Sequence, residues 1–162
     1  MQSQIQPNHR FTSNHISQLT ARKFATIVGL AGIAAIHLMD LPGKFAETPY
    51  LGVAYVGMIA GAVGLIERIV RNSKPIDFLA AAGLGASVLA GFVINRSVGM
   101  PGAMGDIGNW FEPLGFLSMF VEGFTIWQAL TAFRALGRAK DEALKAELVE
   151  LTHTGTLNLQ FN

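Results

Sequence analysis

The chain of 162 residues contains no cysteine, and only 14% of its residues are charged. The absence of cysteine excludes disulfide frameworks, thiolate metal sites and thiol redox chemistry. Typical soluble domains carry about 25% charged residues, so a soluble protein this short would have too little polar surface to cover itself. The net charge of +1 gives no support for nucleic acid as a partner.

The residues that are present are mostly apolar. Hydrophobic residues make up 51% of the chain, and they concentrate in the stretches 24–39, 50–65, 78–94 and 110–133. A bilayer core of about 30 Å needs about 20 mostly apolar residues in a helix, a length that flanking small and aromatic residues supply. Short connectors favour antiparallel neighbours. The sequence therefore predicts an all-α fold, an antiparallel four-helix transmembrane bundle in a lipid bilayer.

The basic residues predict how this bundle lies in the membrane. They cluster before the first stretch, between the second and third, and after the fourth. The connectors 40–49 and 95–109 hold only Lys44 and Arg96, respectively. Because Lys and Arg favour the cytoplasmic side, we expect both termini to be cytoplasmic and these two connectors to lie outside.

The bundle, residues 22–136, is predicted to lie between two cytoplasmic segments. Residues 1–21 are polar and resemble a disordered or loosely docked arm, in which His9 and His15 would be solvated. Residues 137–162 are predicted to form an amphipathic helix and a tail, because Leu144, Leu148 and Leu151 recur at helical spacing. A continuation of the fourth helix past the membrane is an equal alternative.

Small residues recur within the apolar stretches, as in the G-x-x-x-G motif of Gly57 and Gly61. Small residues let helix backbones approach closely in lipid. The motif is compatible with ordinary packing inside one bundle or with a specific homo-oligomer face.

Most polar residues of the apolar part are predicted to gather near the outer surface, where they form a candidate binding site. Such a group of carboxylates, imidazole and guanidinium would bind a ligand or cation, hold a buried salt-bridge network or relay protons. Some of these polar residues are expected simply because helices begin there. Pro113 fits a helix start, and Asp106 or Asn109 is the candidate cap. The predicted members are His37, Glu47, Arg96, Asp106 and Glu112.

Glu122 is predicted to lie deeper than these residues. It follows Glu112 by ten residues, which is about 15 Å along a helix, so it falls near the middle of the bilayer. An ionisable group there costs at least about 2.5 kcal/mol and usually faces the bundle interior. Glu122 is therefore a functional hypothesis, with a structural alternative in which a protonated acid bonds to Ser118 or Ser87.

His37 has three interpretations. It would be a neutral imidazole that hydrogen-bonds Glu122 or Glu112 across the bundle. It would instead be a metal ligand together with Glu47 and Glu112, a set suited to a divalent ion. The third interpretation is an axial ligand to a haem or another tetrapyrrole.

Two stretches carry a resemblance to known proteins. Residues 37–52 contain His…Pro…Phe-x-Glu-x-x-Tyr-Leu-Gly, and residues 96–115 contain Arg-x-x-Gly-x-Pro-Gly…Trp-x-Glu-Pro-Leu-Gly. Together they resemble a group of uncharacterised small four-helix bacterial integral membrane proteins. The resemblance implies a multi-pass protein of the bacterial inner membrane and implies no activity. It falls on the same stretches that hold most of the candidate site.

Three functions remain open at this point. The leading hypothesis is a non-catalytic accessory or binding subunit that assembles with other membrane subunits or with copies of itself. The second is proton or cation translocation, with Glu122 as the relay and His37 as the outer gate. The third is a metal- or tetrapyrrole-dependent redox protein that uses His37. The sequence itself identifies no cofactor and no catalytic residue.

Overall fold

Four long helices make up most of the described part of the chain. The computed structural model describes the backbone of residues 9–160 and the side chains of residues 17–152. A short 3-10 helix, Met104–Asp106, lies in the connector before the last helix. The all-α, four-helix prediction is confirmed. The helices are α1, His9–Glu47; α2, Pro49–Arg71; α3, Pro75–Ser97; and α4, Pro113–Gln160.

Each of these helices is long and apolar enough to cross a membrane. The qualifying segments contain 23 to 40 residues, which meets the requirement of about 20 for a bilayer core. Large apolar side chains also cover the outside of the bundle, among them Phe24, Val63 and Trp127. Such a surface is stable against lipid and unstable in water, so the structure supports a membrane protein.

The four helices form an antiparallel bundle. α2 packs mainly on α1 and α3 mainly on α4, and the two pairs join where α1 contacts α4. Neighbours run in opposite directions, since Gly29 and Gly32 of α1 meet Thr125 and Val121 of α4, respectively. We call the end with the α1–α2 and α3–α4 connectors the upper end. The lower end carries the α2–α3 connector and both terminal extensions.

The connection between α1 and α2 is much shorter than the predicted ten residues. α1 continues through Pro42 to Glu47, so only Thr48 separates it from α2. Proline in a helix removes one backbone hydrogen bond, but tertiary packing compensates here. The ring of Phe45 lies within 3 Å of where a Cβ would stand on Gly52, so glycine is required for α2 to close against α1.

The lower connector is fixed by a buried carboxylate. Asp77 accepts hydrogen bonds from the backbone N–H of Lys74, at 3.0 Å, and from Nε of Arg68, at 2.8 Å. It therefore caps the start of α3 and pairs with a cation of α2, although only 1% of its side chain is exposed. These bonds satisfy a carboxylate that would otherwise be costly to bury.

The apolar core occupies the lower half of the bundle. Leu30, Ile69 and Phe78 are fully buried there, and alanines of α2, α3 and α4 complete the same cluster. α1 and α4 approach closely at Gly29 and Gly32, as in ordinary packing within one bundle. In the G-x-x-x-G motif, an added Cβ on Gly57 would meet no atom within 4 Å, so its role stays open.

The predicted boundaries after residues 21 and 136 both fall inside continuous helices. α1 already begins at His9, within the predicted arm, and α4 runs without interruption from Pro113 to Gln160. The predicted tail helix is thus a continuation of α4, one of the two alternatives. Its side chains are exposed as far as they are described. The side chains of His9 and His15 lie outside the described residues.

Candidate functional site

A cavity of about 450 Å³ lies in the upper half of the bundle, and all four helices contribute to its wall. Its lining is apolar over most of its length and polar at both ends. Four of the six predicted site residues line it, namely His37, Arg96, Glu112 and Glu122. The helix packing therefore brings together residues that lie up to 85 positions apart in sequence.

An ionic cluster closes the upper end of this cavity. Arg96, almost completely buried, pairs with Asp106 Oδ1 at 2.9 Å and with Glu112 Oε2 at 3.0 Å. Lys44 of α1 adds a second cation, 3.6 Å from Asp106 Oδ2. Asn95 Nδ2 donates a hydrogen bond of 2.8 Å to the same Asp106 oxygen. We call these five residues the ionic cluster; they tie α1, α3, α4 and the α3–α4 connector together.

The α3–α4 connector folds back to deliver Asp106 to this cluster. Gly99 and Gly108 have φ values of +81° and +80°, a left-handed conformation that favours glycine. The backbone N–H of Gly108 then donates to the Arg96 carbonyl at 2.9 Å. Tyr50 of α2 donates its hydroxyl hydrogen to the Pro101 carbonyl at 2.8 Å. The glycines thus explain how a connector with only one short 3-10 helix, Met104–Asp106, holds a fixed shape.

The ionic cluster also sets the protonation of Asp106. Partial burial alone would raise the pKa of this carboxyl. The hydrogen bond from Asn95 and the positive charges of Lys44 and Arg96 outweigh that effect and lower the pKa below its ordinary value. Asp106 is therefore an ionised partner of both cations at neutral pH.

Glu112 caps the N-terminus of α4 and also pairs with Arg96. Its Oε2 accepts the backbone N–H of Gly115 at 3.2 Å, and its backbone carbonyl accepts the N–H of Phe116 at 2.8 Å. This is the N-cap position directly before Pro113, so the expectation of a cap at Asp106 or Asn109 is wrong. Asp106 is directed to the cations instead, because the connector folds away from the helix axis.

His37 lines the cavity but makes a different hydrogen bond from the expected one. Its Nδ1 lies 2.8 Å from the Ile33 carbonyl of its own helix, whereas one of the three interpretations placed its hydrogen bond on Glu122 or Glu112. Because a carbonyl only accepts, Nδ1 carries the hydrogen and Nε2 remains an acceptor. The imidazole also packs edge-on against Tyr55, with ring centroids 4.7 Å apart.

Sequence reasoning missed Tyr55 and Lys44 as parts of the site. Tyr55 donates its hydroxyl hydrogen to Asp40 Oδ2 at 3.3 Å, so it joins α2 to α1 at the cavity wall. The sequence does not show which way a single tyrosine in an apolar stretch points, because the rotation of the helix about its own axis is not known from sequence. Lys44 was used only for orientation, although its side chain is 13% exposed and held by the ionic cluster.

Glu47 lies outside the cavity and does not complete a metal site. Its side chain is 68% exposed and pairs with Lys44 at 3.3 Å. Among the described residues, no group of three or more histidine or acidic side chains is placed to hold a metal ion. The predicted set of His37, Glu47 and Glu112 is therefore not assembled, because α1 carries Glu47 beyond the rim.

Glu122 forms the deep end of the cavity and is fully buried. Ser118, one turn earlier on α4, donates its hydroxyl hydrogen to Glu122 Oε1, which is one of the two partners that the sequence suggested. Oε2 has no hydrogen-bond partner within the described part of the chain. Ser87, the other suggested partner, donates to the Leu84 carbonyl of its own helix at 2.8 Å.

The cavity does not continue below Glu122. Leu30, Ala82 and Ala129 are buried on the lower side and belong to the apolar core. Gly85 also lies close to the Glu122 backbone, since an added Cβ would stand 3.4 Å from its carbonyl oxygen. The space is therefore a pocket that is blind at its lower end.

Comparison with models of protein families, with curated proteins and with solved structures finds no match for this chain. The resemblance to small four-helix bacterial membrane proteins therefore stays a prediction. Any function must be argued from the cavity itself.

Proposed function

We propose that this protein is a small integral membrane binding protein whose cavity holds a small molecule. The observation that carries the proposal is the pocket of about 450 Å³ between all four helices. Ligand sites are typically apolar pockets of 300–1,000 Å³ with a few well-placed polar groups. The combination of apolar walls with the ionic cluster above and Glu122 below fits that description.

The proposal places the upper end of the bundle outside a bacterial inner membrane and both termini in the cytoplasm. Basic residues support this orientation. The lower end and its extensions hold Arg68, Arg71 and Lys74 together with further lysines and arginines beside the terminal segments. The two cations at the upper end, Lys44 and Arg96, are held in the ionic cluster. Lysine and arginine residues thus concentrate on the proposed cytoplasmic side.

Binding is better supported than translocation of protons or cations. A translocation pathway needs polar groups or water on both sides of Glu122, and the lower side is packed with apolar core. The redox alternative has no specific support either, because no group of three or more histidine or acidic side chains among the described residues is placed to hold a metal ion. The bond from His37 Nδ1 to the Ile33 carbonyl leaves Nε2 free and does not count against ligation. Neither alternative is favoured by a particular contact.

The proposal includes a role as an accessory subunit that assembles with other membrane proteins or with itself. The extension of α4 supports it, since Leu144, Leu148 and Leu151 are more than half exposed on that helix. We expect such a partner to co-purify at fixed stoichiometry in mild detergent. A solitary particle after purification from native membranes would contradict this part of the proposal.

Filling the cavity tests the binding function. Gly91 lines the cavity, and a Cβ added to it would meet no atom within 4 Å. Gly83 lies on the same helix with equally open space but outside the cavity lining. We expect Gly91→Trp to remove small molecules that co-purify with the wild-type protein in lipid nanodiscs, and Gly83→Trp to retain them. Mass spectrometry of organic extracts measures both.

The same experiment can overturn the proposal. Equal small-molecule content in the wild-type protein and the Gly91→Trp variant would show that the cavity holds no ligand. Circular dichroism of each variant is the folding control, because both substitutions add bulk to α3.

A further inference from the structure

One carboxyl of the site, that of Glu122, is fully buried with no cation of the described residues beside it. Asp106 and Glu112 pair with Arg96, and Asp40 accepts a hydrogen bond from Tyr55. Glu122 forms no ion pair with any lysine or arginine of the described residues, and its Oε2 has no hydrogen-bond partner there. A buried carboxyl of this kind is costly unless something pairs with it. A positively charged hydrogen-bond donor inside the cavity would satisfy this group.

The wall of the cavity is open between α2 and α3. The two helices meet in the lower half, where a Cβ on Gly61 would stand 3.7 Å from Leu84 Cδ1. Farther up they separate, and Ala54, Gly57 and Ser87 line the cavity while being exposed at the surface. We call this gap the slot; its rim residues are small, so it is not covered by side chains.

The slot opens on an apolar surface rather than on a polar one. Val53 and Val56 beside it on α2 are 63% and 46% exposed, and Val93 on α3 is 40% exposed. In a bilayer these side chains contact lipid. A molecule dissolved in the bilayer can therefore reach the cavity sideways without passing the ionic cluster.

We propose that the cavity binds a lipid-soluble organic cation, such as an arylalkyl amine, which enters through the slot and places its ammonium group against Glu122. This inference rests on the proposed binding function and specifies its ligand. The ammonium N–H groups donate to Glu122 Oε2, and its charge neutralises the carboxylate. The apolar part of the ligand fills the space beside Tyr55 and Phe92, which line the cavity.

Other ligand classes fit the deep end less well. An anion would face Glu122 with no basic side chain beside it to offset the repulsion. A neutral alcohol can donate one hydrogen bond to Oε2 but brings no charge. Hydrogen bonds to charged groups contribute about twice as much as neutral ones, so the order of affinity should be amine, alcohol, carboxylate.

Three compounds with the same apolar part test this order: 4-phenylbutylamine, 4-phenylbutanol and 4-phenylbutanoate. Equilibrium dialysis against protein in phosphatidylcholine nanodiscs, corrected with empty nanodiscs, measures each affinity. We expect the amine to bind at least about tenfold tighter than the other two. The Glu122→Gln variant should lose that preference and keep its affinity for the alcohol, because glutamine retains the shape and the Ser118 bond.

The outcomes separate the ligand class from the binding function. Tighter binding of the alcohol or the carboxylate would overturn the cation inference and leave the binding function in place. An amine preference that survives in Glu122→Gln would also overturn it. If none of the three compounds binds the wild-type protein more than the cavity-filled Gly91→Trp variant, the cation inference fails, whereas the content of co-purified molecules still decides the binding function.

A second pair of variants tests access through the slot. Gly57 and Gly64 both lie on α2 with no atom within 4 Å of an added Cβ, but only Gly57 lines the cavity. We expect Gly57→Leu to slow association of the amine at least about tenfold and Gly64→Leu to leave the rate unchanged. Equal association rates for both variants would show that the ligand does not enter between α2 and α3.

Discussion

The upper and lower halves of the bundle are built from the same four helices but pack in opposite ways. In the lower half, Leu30, Ile69 and Phe78 are fully buried and the helices touch. In the upper half the helices separate around a cavity, and buried polar atoms of Asn95, Arg96 and Glu122 lack hydrogen-bond partners within the described residues. The close packing of the lower half therefore supplies stability. The upper half does not need to pack as closely and can hold a site.

The side chains along the helices explain this difference. Alanines at the lower contacts, such as Ala62, Ala81 and Ala129, allow close backbone approach. The upper half has no equivalent contact between α2 and α3. The ionic cluster acts there as a brace that holds the helix ends at a fixed separation.

The largest expected effect comes from removing the brace. Arg96→Leu leaves Asp106 and Glu112 without their shared cation, and breaking a buried ion pair costs about 4 kcal/mol. The matched control is Arg71→Leu, whose pair with Glu67 is mostly exposed and contributes less than about 1 kcal/mol. Unfolding in mixed micelles, followed by circular dichroism, measures both. Similar losses for the two variants would show that the ionic cluster is not a brace.

Two leucine truncations compare the halves directly. Leu30→Ala opens a cavity in the packed lower half and should cost about 2–3 kcal/mol. Leu114→Ala enlarges a cavity that already exists, because Leu114 lines it, and should cost less than about 1 kcal/mol. The same unfolding assay applies. A larger loss for Leu114→Ala would contradict the division into a stabilising half and a functional half.

A smaller effect is expected for the deep carboxyl. Glu122→Gln keeps an oxygen that accepts the Ser118 hydroxyl hydrogen, so the free energy of unfolding should change by less than about 1 kcal/mol. Ligand binding, not stability, should respond to this substitution. If the Gln variant is as unstable as Leu30→Ala, Glu122 is a structural residue and its role at the site is lost.

The smallest effect concerns pH. Because the pKa of Asp106 is lowered in the folded protein, this carboxylate contributes stability fully above the ordinary aspartate value of about 4. The contribution is lost as the pH falls through the lowered pKa. We expect Asp106→Asn to flatten the fall of the melting temperature below about pH 4, whereas Asp141→Asn, on the exposed extension, should not. Identical acid profiles for wild type and Asp106→Asn would contradict this.

Hydropathy was sufficient to predict the number and approximate centres of the helices, because each needs a long apolar run. Helix ends were harder to predict. The expected connector 40–49 contains Pro42 and Gly43, yet α1 passes through both. Packing of Phe45 on Gly52 offsets the cost of about 3 kcal/mol for proline inside a helix. Local propensity could not show this contact because it joins two helices.

The predicted depth of residues along the helices also grouped four residues that line the cavity in the structure. It could not give helix rotation, so the partner of His37 stayed open among three interpretations and Tyr55 was missed. Glu47 was included because it lies at the right depth, although its side chain points away from the cavity to solvent. Direction around a helix axis is decided by packing with neighbours, which a single sequence with weak periodicity does not reveal.

One oxygen atom of Glu112 couples the position of Arg96 to the first turn of α4. Its Oε2 receives both Nη2 of Arg96 and the backbone N–H of Gly115. Any ligand or mutation that draws Arg96 away therefore also changes the restraint on the first turn of α4. Hydrogen exchange at the Gly115 amide is consequently a built-in reporter of the Arg96 position and needs no probe attached to the protein.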